Sequence, residues 1–129
     1  MGAVKAVLRE QDQFFLESLG YSHAVEVSDG FVNLVLADFP SPGLDQDHVD
    51  LLLRLPIGFP DATPDMFWVA PALTTGGAAI PGTEMVENHV GRSWQRWSRH
   101  IGGQWRPGVD NLETYLAYVR RALAIAGGH

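Results

Sequence analysis

The sequence predicts a single α+β domain over residues 1–129, and three observations support it. Residues 23–55 alternate apolar and polar side chains in the manner of antiparallel strands. Apolar residues recur at helical spacing near both ends of the chain. The strand segments follow one another without helices between them, which separates this pattern from the α/β class.

An N-terminal helix is predicted from Val4 to Leu19. Leu8, Phe15 and Leu19 recur at helical spacing, and Gly20 is a natural C-terminal stop. The spacing therefore indicates an amphipathic helix at the start of the chain.

An antiparallel meander of three to four strands is predicted next. HAVEV at residues 23–27 alternates, and Ser28-Asp29-Gly30 is typical of a hairpin turn into FVNLVLADF. The third strand carries Asp50 and Arg54 on one face. Its other face is apolar: Val49, Leu51, Leu53 and Leu55.

A proline-rich segment follows the third strand. Prolines stiffen residues 55–71 around the apolar run Met66 to Val69, which we predict to be one short edge strand. Residues 73–90 are rich in Gly, Ala and Thr and are predicted to form a long irregular loop. A loop of that length is uncommon in a compact domain and is often functional.

A C-terminal helix is the clearest element. Asp110 is predicted to be its N-cap, with Glu113 at capping-box spacing, and Gly127-Gly128 ends it. Arg120 and Arg121 lie near the C-terminal end, where the helix dipole favours cations. One apolar stripe is expected to face the core: Leu112, Tyr115, Leu116, Val119 and Leu123.

Composition excludes several classes of function. The formal net charge of −6 argues against a general nucleic-acid binder. The absence of cysteine excludes disulfides, thiolate metal sites and thiol nucleophiles. No apolar run approaches the roughly 20 residues that cross a bilayer, and no secretory leader is recognisable. We expect a cytoplasmic protein whose partners are neither nucleic acid nor membrane.

The histidines form no recognisable metal-binding pattern. They lack i, i+4 pairs and companion cysteines, so we predict no metal site. A Gly-rich phosphate loop and a Gly-x-Ser-x-Gly elbow are also missing from the sequence, and we expect no cofactor. The five histidines are His23, His48, His89, His100 and His129.

The run WQRWSRHIGGQW at residues 94–105 concentrates aromatic and basic residues around one serine. Ser98 is a candidate nucleophile, but a serine hydroxyl needs a base within hydrogen-bond reach. On an extended segment His100 would point the same way as Ser98, and the double glycine disfavours a long helix here. His89 is the other nearby base. The alternative is that Ser98 is a surface or helix-capping hydroxyl.

Residues flanking this run have candidate roles in acyl transfer or in partner binding. Asn88 could donate a hydrogen bond to the oxyanion of a tetrahedral intermediate, or could belong to a polar loop. Four arginines could bind the carboxylates of an acidic or C-terminal segment of a partner, or could simply balance charge on a solvated face. These arginines are Arg92, Arg96, Arg99 and Arg106.

Three tryptophans accompany these residues. Trp94 and Trp97 would share a face on a helical turn, and either is core or a partner-facing anchor. Trp105 is predicted to pack the C-terminal helix onto the sheet.

The order of these elements resembles the ubiquitin-conjugating enzyme (UBC-like) fold. LPIGFPDATP at residues 55–64 is similar to that family's proline-rich segment after strand three, and ENH at 87–89 lies about where the family has its His-Pro-Asn tripeptide. WSRHIGGQWRPGVDNLETYLAYVRRAL resembles the stretch that runs from the catalytic cysteine, through a tryptophan followed by a proline, into a helix. The whole is most similar to the divergent bacterial branch, the prokaryotic family E type, found alongside ubiquitin-like proteins and adenylating activating enzymes.

The resemblance implies a carrier that accepts the C-terminus of a ubiquitin-like protein from an activating enzyme. Aligned on Trp105 and Pro107, it brings the family's cysteine position to Ser98 or its immediate neighbour. Three explanations fit the missing cysteine. The chain could be a non-catalytic variant that binds a ubiquitin-like partner, it could carry the partner as an oxyester on Ser98, or a native cysteine could have been replaced.

Under the oxyester hypothesis, His100 or His89 would be the base and Asn88 would stabilise the oxyanion. The tripeptide itself is not matched at residues 87–89. A Ser/His hydrolase unrelated to conjugation is a further alternative.

Overall fold

The computed structural model describes residues 8–128, and this part of the chain contains six strands and two α-helices. A 3-10 turn at Gly102–Gln104 precedes the last helix, and the predicted α+β class is confirmed. In chain order the elements are α1 (Glu10–Ser18), β1 (His23–Ser28), β2 (Phe31–Pro40), β3 (His48–Pro56), β4 (Phe67–Ala70), β5 (Val86–His89), β6 (Arg92–Trp97) and α2 (Leu112–Ala126).

The strands form one antiparallel sheet in the order β1-β2-β3-β4-β6-β5. The first four strands are a meander, as predicted. The chain then crosses to the far edge as β5 and returns as β6, which pairs with both β4 and β5. The last strand in sequence is therefore an interior strand of the sheet.

Two tight hairpin turns show why one strand was predictable and another was not. Asp29 and Gly30 both have positive φ, 55° and 80°, which is the type I′ pattern that Asp-Gly favours. Val90 and Gly91 have φ values of 46° and 79° and form the equivalent turn between β5 and β6. A β-branched residue is an outlier at positive φ, so the sequence there does not signal a hairpin. The predicted loop over 73–90 is accordingly wrong at its end, where Val86–His89 form β5.

The short strand after the proline-rich segment is not an edge strand, contrary to the prediction. Phe67–Ala70 pairs with β3 on one side and β6 on the other, and all four residues are buried. Pro64 and Pro71 lie just outside these four residues and do not interrupt the ladder.

One face of the sheet carries both helices and most of the core. The predicted apolar face of β3 packs here, together with Leu16 of α1. The apolar stripe predicted for α2 is confirmed residue by residue. Trp105 is also confirmed as core, because its indole N–H donates to Pro60 O at 2.9 Å and its ring packs between Phe59 and Tyr115.

The ends of the helices differ from the prediction. The N-cap of α2 is Asn111, whose side chain accepts from Thr114 N–H while Thr114 Oγ1 accepts from Asn111 N–H. Asp110 instead accepts from Arg106 N–H, so it lies one residue too early to cap. The predicted start of the first helix at Val4 lies outside the described residues, and within them α1 begins at Glu10.

A buried carboxylate links the two helices. Asp12 of α1 accepts a hydrogen bond from Leu112 N–H, at the first turn of α2, with a distance of 3.2 Å. Arg9 also donates to the same side chain. A negative charge at a helix N-terminus is stabilising, so Asp12 contributes to holding α2 in place.

Leu116→Ala should lower the free energy of unfolding by about 2–5 kcal/mol, because Leu116 is fully buried between α2 and the sheet. Ile125→Ala on the same helix is the matched control, because its side chain is 61% exposed and the expected change is within about 0.5 kcal/mol. Urea unfolding followed by tryptophan fluorescence measures both. Equal losses in the two variants would contradict this packing of α2.

Candidate functional site

Ser98 lies at a sharp bend directly after β6. Its N–H donates to Gly82 O at 2.9 Å, and Arg99 N–H donates back to Trp97 O at 2.9 Å. The second bond closes a three-residue turn centred on Ser98. The chain is therefore not extended through Ser98 and His100, and the predicted common direction of their side chains does not follow from strand geometry.

His100 forms a hydrogen-bonded pair with Asp65, a residue that no sequence pattern singled out. The distance from Nδ1 to Asp65 Oδ1 is 2.6 Å, and both side chains are exposed. Because an ionised carboxylate only accepts, Nδ1 carries the proton and Nε2 remains a base. Met66 N–H donates to Arg99 O at 3.2 Å, which brings the two segments together. The arrangement has the base and orienting carboxylate that acyl transfer uses.

The structure brings Ser98 and His100 into one turn region without bonding them. Within residues 8–128 the Ser98 hydroxyl makes no hydrogen bond, and the His100 ring bonds to Asp65. A catalytic hydrogen bond is often long in a protein without its substrate, so this geometry does not remove His100 as a candidate base.

Two tyrosines of α2 lie close to Asp65. Tyr115 donates its hydroxyl hydrogen to Met66 O at 2.5 Å, and its ring stacks on Tyr118. Burial raises the pKa of Tyr115 far above its ordinary value, and the charge of Asp65 raises it further. Burial also raises the pKa of Tyr118, with Arg99 opposing and Asp65 reinforcing the shift. Both phenols therefore remain protonated near neutral pH.

Asn88 and His89 lie at the other end of β6 from Ser98. Asn88 pairs with Ser93 across the β5–β6 hairpin and accepts its hydroxyl hydrogen at 2.8 Å. Ser98 follows Ser93 by five residues, which is about 17 Å along an extended strand. The hairpin geometry therefore separates these two side chains from Ser98.

Glu87 organises the surroundings of His89 on the outer face of the sheet, the face without helices. Its carboxylate accepts from Trp68 Nε1 at 2.9 Å, His89 Nε2 at 2.9 Å and Arg96 Nη1 at 2.8 Å. Burial acts to raise the pKa of Glu87, but these hydrogen bonds and the charge of Arg96 lower it below its ordinary value of 4.5. In the sequence, Glu87 stands out only as part of the ENH tripeptide, because the partners of its carboxylate come from three different strands.

The four arginines do not form one positive patch. Three of them pair with carboxylates, in agreement with simple charge balance: Arg92 with Asp50 at 3.0 Å, Arg96 with Glu87 at 2.8 Å, and Arg106 with Asp110 at 3.8 Å. Arg99 instead donates to Pro81 O at 3.0 Å and lies over the ring of Trp97.

Neither Trp94 nor Trp97 is available to a partner. Their exposed fractions are 1% and 0%, so each belongs to the core. Because β6 is a strand and not a helical turn, residues three apart lie on opposite faces. Trp97 packs beneath the helices, and Trp94 joins Leu52 and Trp68 in a smaller cluster on the outer face. The alternative in which Trp97 is a partner-facing anchor is therefore wrong.

A six-stranded antiparallel sheet with two helices on one face is consistent with an E2-like domain. The sequence matches the prokaryotic E2 family E over residues 8–126, and the chain belongs to this family. Membership suggests an E2-like carrier in prokaryotic ubiquitin-like conjugation, with a ubiquitin-like protein and an activating enzyme as the general partners. Comparison with curated proteins and with solved structures found no match.

Two further features are absent from residues 8–128. No group of three or more metal-ligating side chains in this range could hold a metal ion. No helix in the same range has the length and hydropathy of a membrane span.

The lowered pKa of Glu87 predicts a specific pH dependence of stability. A carboxylate with a depressed folded-state pKa stabilises the fold above its unfolded value, and this contribution is lost as the pH falls through the folded value. Wild-type stability should therefore decline below about pH 4.5, and Glu87→Gln should flatten part of that decline.

Thermal unfolding between pH 3 and 7 measures this difference between the two proteins. Glu26→Gln is the matched control, because Glu26 is also a strand glutamate but is exposed on β1. The assignment fails when Glu87→Gln and Glu26→Gln lose stability equally steeply below about pH 4.5.

Proposed function

We propose that this protein is an E2-like carrier that accepts the C-terminus of a ubiquitin-like protein on Ser98 Oγ as an oxyester. Family membership over residues 8–126 supports the carrier role. The choice of Ser98 rests on one observation, the 2.6 Å hydrogen bond between His100 and Asp65, two residues along the chain from a serine hydroxyl. A histidine oriented by a carboxylate is the kind of base that activates a serine.

The proposed loading step exchanges one acyl bond for another. Ser98 Oγ bonds to the terminal carbonyl carbon of the ubiquitin-like protein while His100 Nε2 takes the hydroxyl proton. The bond between that carbon and the leaving group of the activated substrate, an adenylate or a thiolate, then breaks. Asp65 holds the imidazole through Nδ1 and stabilises its protonated form, and His100 returns the proton to the leaving group.

Transfer from the carrier runs through the same groups. A target amine attacks the ester carbon and gives a proton to His100 Nε2, the bond to Ser98 Oγ breaks, and the serine oxygen takes that proton from His100. Asn88 and His89 take no part in this proposal, because about 17 Å of strand lies between their end of the hairpin and Ser98.

The alternative function is a binding module that holds a ubiquitin-like protein without a covalent step. The observation that favours it is the Ser98 hydroxyl itself, which makes no hydrogen bond to a base within residues 8–128. Arg99 would then be the residue for a partner carboxylate, because its own partners in this range are carbonyl oxygens and not acidic side chains.

The two functions give different products in one experiment. The protein is incubated with ATP and with the ubiquitin-like protein and activating enzyme of its own organism, and the products are treated with hydroxide or with dithiothreitol. We expect an adduct that hydroxide removes and dithiothreitol does not. The reason is that a thiol readily attacks the carbonyl carbon of a thioester, whereas an oxyester resists this attack. Ser98→Ala should abolish the adduct.

Ser93→Ala is the matched control and should keep the adduct, because Ser93 hydrogen-bonds to Asn88 at the distant end of β6. An adduct that survives Ser98→Ala would exclude Ser98 as the acceptor. No adduct despite measurable affinity for the ubiquitin-like protein would leave the binding module as the function. Ser98→Cys should convert the adduct to a thioester that dithiothreitol removes, which checks that the carbonyl reaches this position.

Asp65→Asn should slow adduct formation by about 10²-fold or more, because the amide no longer stabilises a protonated His100. Single-turnover kinetics measure the rate, and circular dichroism checks that the fold is unchanged. Asp61→Asn, an exposed neighbour in the same segment, should react at the wild-type rate. Equal rates in both variants would show that the His100–Asp65 pair does not serve the reaction, and partial recovery in Asp65→Glu would support it.

A further inference from the structure

A groove of about 360 Å³ lies between α2 and the segment that precedes β5. Its walls are mainly apolar and include Ile80 from the segment and Ala122 and Ile125 from the helix. Arg99 and Arg121 border the same groove, together with Tyr118. A concave apolar site with a few polar groups is the usual form of a small-molecule pocket.

Neither arginine of the groove forms a salt bridge with a carboxylate of residues 8–128. Arg54 and Arg120 also form none in this range, but neither of them lines the groove. Arg99 is held by Pro81 O and the ring of Trp97, so its position is defined by groups other than an acid. The nearby Glu84 accepts from Gly82 N–H at 3.1 Å and does not line the groove. In a protein of net charge −6, two unneutralised guanidinium groups beside one groove favour an anionic ligand.

Most main-chain groups of the segment residues that line the groove already have hydrogen-bond partners. Thr75 and Ala78 exchange both of their backbone hydrogen bonds, and Thr83 Oγ1 donates to Ile80 O. Pro81 O accepts from Arg99, and α2 satisfies its own backbone. A bound peptide would find few main-chain hydrogen-bond partners here. A ligand with one charged end and an apolar remainder needs no such partners.

We propose that this groove binds a monocarboxylic acid with a medium-length, unbranched apolar chain. The carboxylate pairs with Arg99 and Arg121, since guanidinium groups bind carboxylates through paired N–H donors. The chain lies against Ile80, Ala122 and Ile125 and leaves water. This site does not depend on Ser98 reactivity, so its test needs neither an activating enzyme nor a ubiquitin-like protein.

The experiment is a titration of the full-length protein with sodium decanoate below its micelle concentration, followed by calorimetry and by two-dimensional NMR. Decanoate should bind about tenfold more tightly than octanoate, because each buried methylene contributes about a fourfold gain at most. Acetate and the uncharged decanol should each bind much more weakly. NMR shifts should concentrate on the groove residues of α2 and of the segment before β5.

Arg121→Gln should weaken decanoate binding about tenfold, and Arg99→Gln similarly, the scale expected for one charge-assisted hydrogen bond. Ile125→Asp should weaken it by placing a like charge in the groove. Arg120→Gln is the matched control, because Arg120 neighbours Arg121 in sequence but lies over the ring of Phe39 and not in the groove.

Three outcomes would overturn the proposal. Decanoate could fail to bind, or it could bind Arg120→Gln and Arg121→Gln with equal affinity. An apolar peptide with a free C-terminus could also bind more tightly than decanoate and lose affinity on amidation, which would assign the groove to a peptide terminus instead of a small acid.

Discussion

The insertion of β6 between β4 and β5 is the constraint on which the rest of the structure depends. A strand with neighbours on both sides and packing on both faces must present a large apolar side chain to each face. Trp97 fills the space beneath the helices, and Trp94 fills the smaller cluster on the outer face. The tryptophans that look like a binding cluster in the sequence are therefore what allows an arginine-containing strand to lie inside the sheet.

The candidate site follows from where β6 ends. Its pairing with β4 carries the chain out of the sheet at Ser98, beside Gly82 and next to the segment that contains Asp65. The serine, the histidine and the arginine that borders the groove all lie in residues 98–100, whereas the carboxylate that pairs with the histidine, Asp65, lies far away in sequence. On the outer face, toward the turn of the β5–β6 hairpin, Glu87 instead accepts hydrogen bonds from His89 and Arg96.

Sequence patterns were reliable where burial is decided by local periodicity. The apolar stripe of α2 and the alternation of β3 each reflect one helix or strand facing one core, and Asp29-Gly30 specifies its turn through backbone preference. Sequence patterns failed to predict the turn at Val90, because a valine rarely adopts positive φ. Packing of Val90 against the cluster on the outer face holds it in this conformation. Because this turn was not predicted, β5 was predicted to be loop and β4 to be an edge strand. For the same reason Trp94 and Trp97 were placed on one face of a helical turn.

What the sequence determined by itself is the class of fold, most of its elements, the likeness to conjugating enzymes and the absence of a thiol. Those features depend on composition and on residues within a few positions of one another. Only the tertiary structure decided which residues meet. The partner of His100 lies 35 residues away, the partners of Glu87 come from three strands, and Asn88 is separated from Ser98 by the length of a strand. Strand order and register set these distances, and neither is written in any short stretch of the chain.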